Sequence, residues 1–265
     1  MRIKPISSRD NPLYKELKQL ATSSQARRRS GRTLLDGVHL CQAYLQHRGA
    51  PPLCVVSETA SANAEVSAVL AHCEAGTTQC IILPDGLFHG LSQVENGIDL
   101  LFVVETPHIA APASMTGSAV LLDNVQDPGN LGSILRSAAA AGIGAVFCSP
   151  GTAFSWSPKV LRAGMGAHFI LQIFENVDLA ELIRRSDVPT LATSSHAQQR
   201  VYDVDLRGNI GWLFGHEGQG VSAELLALAT QQIAIPHLGA VESLNVAACS
   251  AVCFFEQVRQ KLSGA

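Results

Sequence analysis

Short apolar runs alternate along this chain with stretches of helical spacing, and that alternation outlines an α/β protein. Leu13, Leu17 and Leu20 share one helical face, and Asn11 before Pro12 is a good start signal, so a helix is expected over 12–21. The residues after it, SSQARRRSGR, have little apolar content and read as an exposed basic loop or helix end. Strands are expected at 33–35, 53–56, 79–83 and 99–105, with helices at 37–46 and 61–74. The result is an alternating βαβα domain over residues 1–105. Residues 106–118, TPHIAAPASMTGS, carry two prolines, small side chains and no formal charge, and read as a linker. A second α/β domain is expected over 119–265, beginning with a strand at 119–122.

Within that second domain three segments share one grammar: an apolar run, a turn crowded with Gly, Pro and Asn, then a helical stretch. They are NVQDPGNLGSILR (124–136), LFGHEGQG (213–220) and IPHLGAVESLNVAA (235–248). In an α/β sheet all three turns then lie at the carboxyl ends of strands, where such sheets bind ligands. A Rossmann dinucleotide site is excluded, because G-x-G-x-x-G must follow the first strand and NVQDPGNLG stands there instead.

Composition changes this picture little. With 265 residues, 47% hydrophobic and 15% charged, the chain has room for two globular domains. No apolar run reaches the roughly 18 residues of a membrane span, and the opening MRIKPISSRDNPLYK has no signal-peptide core, so a cytoplasmic protein without membrane contact is expected. Seven cysteines include no CxxC pair and no spacing with histidine that suits a metal, so neither a disulfide framework nor a metal is expected. Charge is more informative. The net is −3, yet residues 1–36 hold nine basic residues, Arg2 among them, against three acidic ones. One module thus presents positive charge to phosphates, unless the arm is merely solvated.

The three segments together resemble the signature motifs of the SpoU branch of the SPOUT RNA methyltransferases. The first is carried by Asn124, Asp127, Pro128, Asn130, Gly132 and Arg136, the second by Phe214, Gly215, Glu217 and Gly220, and the third by Ile235, Pro236, Gly239, Ser243, Leu244, Asn245 and Val246. His237 departs from the family's usual methionine. At the N-terminus Ile6, Ser8, Asn11, Pro12 and Lys15, followed by an arginine-rich loop and LLDGVHL, resemble the substrate-binding domain of ribosomal RNA 2′-O-methyltransferases, which is similar to a small RNA-binding ribosomal protein.

That resemblance implies transfer of a methyl group from S-adenosylmethionine to a ribose 2′-hydroxyl of RNA, ribosomal RNA before transfer RNA. It implies a homodimer and a C-terminal domain whose last segment is threaded into a trefoil knot. Arg136 would bind phosphate beside the target and assist deprotonation, with Asn130, Glu217, Ser243 and Asn245 completing the catalytic group. Thr193, Leu213, Phe214, Gly215, Gly220, Ile235, Leu244 and Asn245 would enclose the cofactor, and Arg27, Arg28, Arg29 and Arg32 would touch RNA. Each has a plainer alternative. Arg136 read one turn into a helix starting after Gly132 is also a surface arginine; Asn130 and Ser243 are also helix caps; Glu217 is also a surface carboxylate. A silent RNA-binding or ribosome-assembly factor keeping the fold is the alternative from another class, and the joint presence of Arg136, Glu217, Ser243 and Asn245 argues against it.

Overall fold

The computed structural model describes residues 4–74, 77–94, 97–240 and 243–264; Arg2 of the basic arm and Val241 of the third motif's loop lie outside them. In chain order the first part holds β1 (Lys4–Pro5), α1 (Pro12–Thr22), α2 (Ser24–Ser30), β2 (Arg32–Asp36), α3 (Val38–Arg48), β3 (Leu53–Ser57), α4 (Ala64–Glu74), β4 (Gln79–Leu83), α5 (Asp85–Phe88) and β5 (Leu100–Glu105). The remainder holds β6 (Ala119–Leu122), α6 (Pro128–Ala140), β7 (Ala145–Cys148), α7 (Pro158–Gly164), β8 (Gln172–Phe174), α8 (Leu179–Arg184), β9 (Thr190–Thr193), β10 (Gln199–Arg200), β11 (Gly211–Phe214), α9 (Ala223–Leu228), β12 (Gln231–Ala234) and α10 (Val246–Ser263).

These elements form two compact units. The first comprises the residues up to His108 together with Trp156–Phe169; the second comprises Ile109–Ser155 and the residues from Ile170 onward. Residues 156–169, which the sequence assigned to the second domain, therefore pack with the first. The Thr33 hydroxyl on β2 donates to the Trp156 carbonyl at 2.7 Å, and Tyr44 meets Phe169 edge to face.

In the first unit the strand order is β1-β4-β3-β5-β2, and β5 inserts antiparallel between β3 and β2. Its sheet is thus mixed, and its core gathers Leu17, Leu20, Leu34, Val55, Ile81, Phe88 and Leu101. The basic stretch is a helix. Ser23 caps α2 and Gly31, at φ +63°, ends it. This helix turns Arg27 inward, where it is 6% exposed and donates to the Leu20 carbonyl at 2.6 Å, so Arg27 leaves the set available to RNA. Arg28 and Arg29 are exposed, whereas Arg32 is partly buried and ion-paired with Glu16.

The second unit is built on a seven-stranded parallel sheet in the order β10-β12-β9-β11-β6-β7-β8. Its central strands are apolar throughout because both faces are covered: all four residues of β6 and of β11 are buried. One side packs Leu121, Leu213, Phe147 and Phe174, and on the other the stacked rings of Trp212 and Phe214 meet Phe254 of α10 edge to face. From β6 the chain steps through β7 to β8 at one edge and returns to β9 on the far side of β11. The order reverses there, and parallel sheets open a crevice at such a reversal.

Candidate active site

The three motif turns follow β6, β11 and β12, all at carboxyl ends of parallel strands. The first turn enters its helix earlier than expected. Pro128 occupies the first helical turn and Asp127 caps it, its Oδ1 accepting from the Asn130 backbone N–H at 2.8 Å. Asn130 is therefore not the cap, and Gly132 lies buried inside the helix. Arg136 sits two turns from the start rather than one, exposed on α6. Asn124 adopts the left-handed φ of +57° that asparagine tolerates.

Freed from capping, the Asn130 side chain joins the three motifs. Glu217 of the second loop accepts from Asn130 Nδ2 at 3.0 Å, from the Asp127 N–H at 3.0 Å and from the Gln126 N–H at 3.2 Å. Asn130 Oδ1 accepts from Asn245 Nδ2 at 2.8 Å, and Asn245 Oδ1 takes the N–H groups of Ala247 and Ala248 as the cap of α10. Both ends of this chain dictate its polarity. A carboxylate only accepts and a helix N-terminus only donates, so each amide has one workable orientation. Asn245, not Ser243, is the cap; Ser243 is exposed nearby.

The Glu217 carboxyl shows the same geometry in its acidity. Burial alone would raise its pKa, but the donors from Asn130, Asp127 and Gln126 outweigh it and hold it below the ordinary glutamate value. A depressed folded value means that its stabilising contribution is complete above the unfolded pKa of about 4.3 and is lost as pH falls through the folded value. Glu217→Gln is expected to cost about 1–2 kcal/mol at pH 7, since a charged acceptor of three donors is replaced by an amide. Denaturant unfolding from pH 7 to pH 3 checks this: the gap between wild type and variant must close on the acid side.

Beside this chain lies a cavity of about 570 Å³. It is lined by Asn130, Thr193, Gly215, Glu217, Gly220, Ile235, Ser243, Leu244 and Asn245, so nine expected site residues meet around one space. Leu213 and Phe214 are fully buried in the core and do not line it; the Leu213 carbonyl reaches the rim by accepting from the Thr193 hydroxyl at 3.4 Å. Arg136 does not line it either. Gly215 has a steric reason to be glycine: a Cβ there would stand 2.1 Å from the Gly220 carbonyl carbon and from the Val221 nitrogen.

Several contributors escaped the sequence reading. Asp123 Oδ2 accepts from the Ser222 N–H at 2.8 Å and ties the first turn to the second. His216 Nδ1 accepts from the N–H groups of Gly218 and Gln219 at 2.9 and 3.2 Å. Ser195, His196 and Cys249 also line the cavity. An aspartate ending a strand and a histidine in a glycine loop are ordinary turn chemistry in sequence, and Cys249 lies in an apolar stretch with no CxxC or metal-like spacing, so nothing singled them out.

Residues 117–255 match the family model described as SpoU rRNA Methylase family. An uncharacterised tRNA/rRNA methyltransferase of Synechocystis sp. is 32% identical over 98% of this chain and 95% of its own length. The 23S rRNA guanosine-2′-O-methyltransferase RlmP of Bacillus subtilis is 28% identical over 96% of this chain and 98% of its own. Among solved structures, the SpoU methyltransferase AviRb of Streptomyces viridochromogenes in complex with AdoMet superposes with a TM-score of 0.83 at 25% identity, covering 96% of this chain and all of that one. The motif loops that meet at the cavity are the part of the chain the family model covers, and the chain belongs to the SpoU rRNA methylase family.

Proposed function

We propose that this protein transfers the methyl group of S-adenosylmethionine to a ribose 2′-hydroxyl of ribosomal RNA. The observation that carries the reading is the hydrogen-bonded chain from Glu217 through Asn130 to Asn245, which joins three motif loops beside one cavity. The lining residues fit the cofactor. Val221, Leu226, Ile233, Ile235 and Val246 offer an apolar slot for adenine, and the volume lies within the roughly 300–1,000 Å³ of small-molecule sites. When bound, S-adenosylmethionine supplies a methyl group activated by its sulfonium. The protein's share is geometric: Glu217 and the two asparagines hold the loops in register, so that an incoming hydroxyl meets a fixed target.

A ribose hydroxyl is a very weak acid, and positive charge must stand where its oxygen becomes anionic. We assign that charge to Arg136, which is exposed on α6 and carries a planar guanidinium suited to phosphate. Ser243, exposed beside the cavity, completes the substrate side. On the first unit we assign phosphate contact to Arg28 and Arg29, with Arg32 adjoining. Likeness to RlmP runs through both units, which favours ribosomal RNA over transfer RNA. The reading includes a cytoplasmic location, a knotted C-terminal segment in keeping with the family, and a homodimer covering Phe255 and Leu262, exposed on α10. Among the described residues no helix is long and apolar enough to cross a membrane.

The test is transfer of a labelled methyl group from S-adenosylmethionine to unmodified ribosomal and transfer RNA, followed by nucleoside mass spectrometry. A 2′-O-methylnucleoside from ribosomal RNA is expected. Label in transfer RNA alone would move the substrate, a methylated base would overturn the ribose chemistry, and no transfer to either would favour a silent binding factor.

A further inference from the structure

We propose that His216 is the positioning residue of the second motif loop, and that cofactor affinity depends on its imidazole being neutral. The proposal rests on the cofactor reading above. The loop after β11 closes on itself: the His216 N–H donates to the Gly220 carbonyl at 3.0 Å and the Gly220 N–H returns to the His216 carbonyl at 2.8 Å. Inside this closure the His216 ring replaces backbone as the internal acceptor, since Nδ1 takes the N–H groups of both Gly218 and Gln219. All five residues from His216 to Gly220 line the cavity, and Glu217, held between the ring and its two donors, starts the chain to Asn130 and Asn245.

An Nδ1 that accepts two hydrogen bonds holds a lone pair there, so the proton sits on Nε2. Protonating Nδ1 would set N–H against two N–H groups and expel the ring. The charged form is thus incompatible with this loop, and histidine is the side chain whose charge ordinarily changes between pH 5 and 8. The other titratable groups around the loop are Glu217 within it, Asp123 and Asp127 of the first turn, His196 after β9, His237 after β12 and Cys249 on α10. The carboxylates would favour a cation nearby; the two backbone donors oppose it at the one atom that matters. His196 and His237 are further imidazoles lining the cavity and require a control.

Asparagine supplies that control. Its Oδ1 is attached to Cγ as Nδ1 is in histidine, accepts from backbone N–H groups two and three residues on, and does not titrate. S-adenosylmethionine affinity is to be measured by calorimetry at pH 8.0 and pH 5.5 for wild type, His216→Asn and His216→Ala, each checked for folding by thermal melting. Wild type should weaken about tenfold at pH 5.5 relative to His216→Asn, the ratio cancelling any titration of the ligand. His216→Ala should be about tenfold weaker than wild type at pH 8.0, with His216→Asn recovering most of the loss. If the two curves stay parallel between pH 8.0 and 5.5, or if His216→Ala binds as wild type does, the proposal fails. Failure of wild type to bind at any pH would sink the cofactor reading instead. In that event the nitrogen shifts of the His216 ring still decide the loop's part: an Nε2–H tautomer with a hydrogen-bonded Nδ1 upholds it, and an Nδ1–H tautomer overturns it.

Discussion

Arg136→Ala should lower methyl transfer about a thousandfold while leaving the affinity for S-adenosylmethionine essentially unchanged. The split follows from position. Arg136 is exposed on α6 and outside the cavity lining, whereas Asn130, on the first turn of the same helix, is inside it. Truncating the arginine removes charge from the substrate side without touching the cofactor pocket. Arg136→Lys should recover only part of the loss, because a point charge cannot reproduce a bidentate fork on a phosphate. Single-turnover transfer and calorimetry on the same preparations check both halves. Equal loss of rate and cofactor affinity would remove Arg136 from substrate chemistry and make it a structural residue of α6.

Gly215→Ala should be damaging for the opposite reason, since it acts on the pocket and the fold together. Its Cβ would meet the Gly220 carbonyl carbon and the Val221 nitrogen at 2.1 Å and the Gly220 oxygen at 2.2 Å. These are backbone atoms; no flexible side chain can move aside, and the crossing of two segments must open. A cost of about 3 kcal/mol is expected, with a melting temperature lower by roughly 6–12 °C. Cofactor affinity should fall by about a hundredfold or more, because the displaced segment carries the cavity wall. Gly218→Ala is the stability control three residues on: its Cβ would meet only His216 ring atoms at 3.7 Å, ordinary contact. If both glycine variants melt alike, the close crossing at Gly215 does not govern the loop.

Much of this site was legible before any coordinates. Gly-rich turns after apolar strands, and Ser243 and Asn245 at the start of a long helix, are local signals, and local chemistry speaks through sequence. Even so, reading Gly132 as the helix start misplaced Arg136 by a turn, because a cap and a proline five and four residues before Gly132 had already begun the helix. The same limit applied to Arg27. Four arginines within six residues look equivalent along a chain, but one turn of α2 points only some of them outward, and Arg27 satisfies the carbonyls that end α1.

By itself the sequence determined the family, the α/β class and nine of the cavity's lining residues, since turn chemistry and hydrophobic period depend on neighbours a few residues apart. Only the tertiary structure decided that Asn130 serves Glu217 and Asn245 rather than its own helix, that the His216 ring accepts from N–H groups of its own loop, and that Leu213 and Phe214 lie in the core rather than in the cavity lining. Those outcomes depend on which polar groups find partners 87 and 115 residues away. A buried or bridging hydrogen bond is worth making only with the partner the fold brings to it, and the pairing of strands β6, β11 and β9 sets that choice.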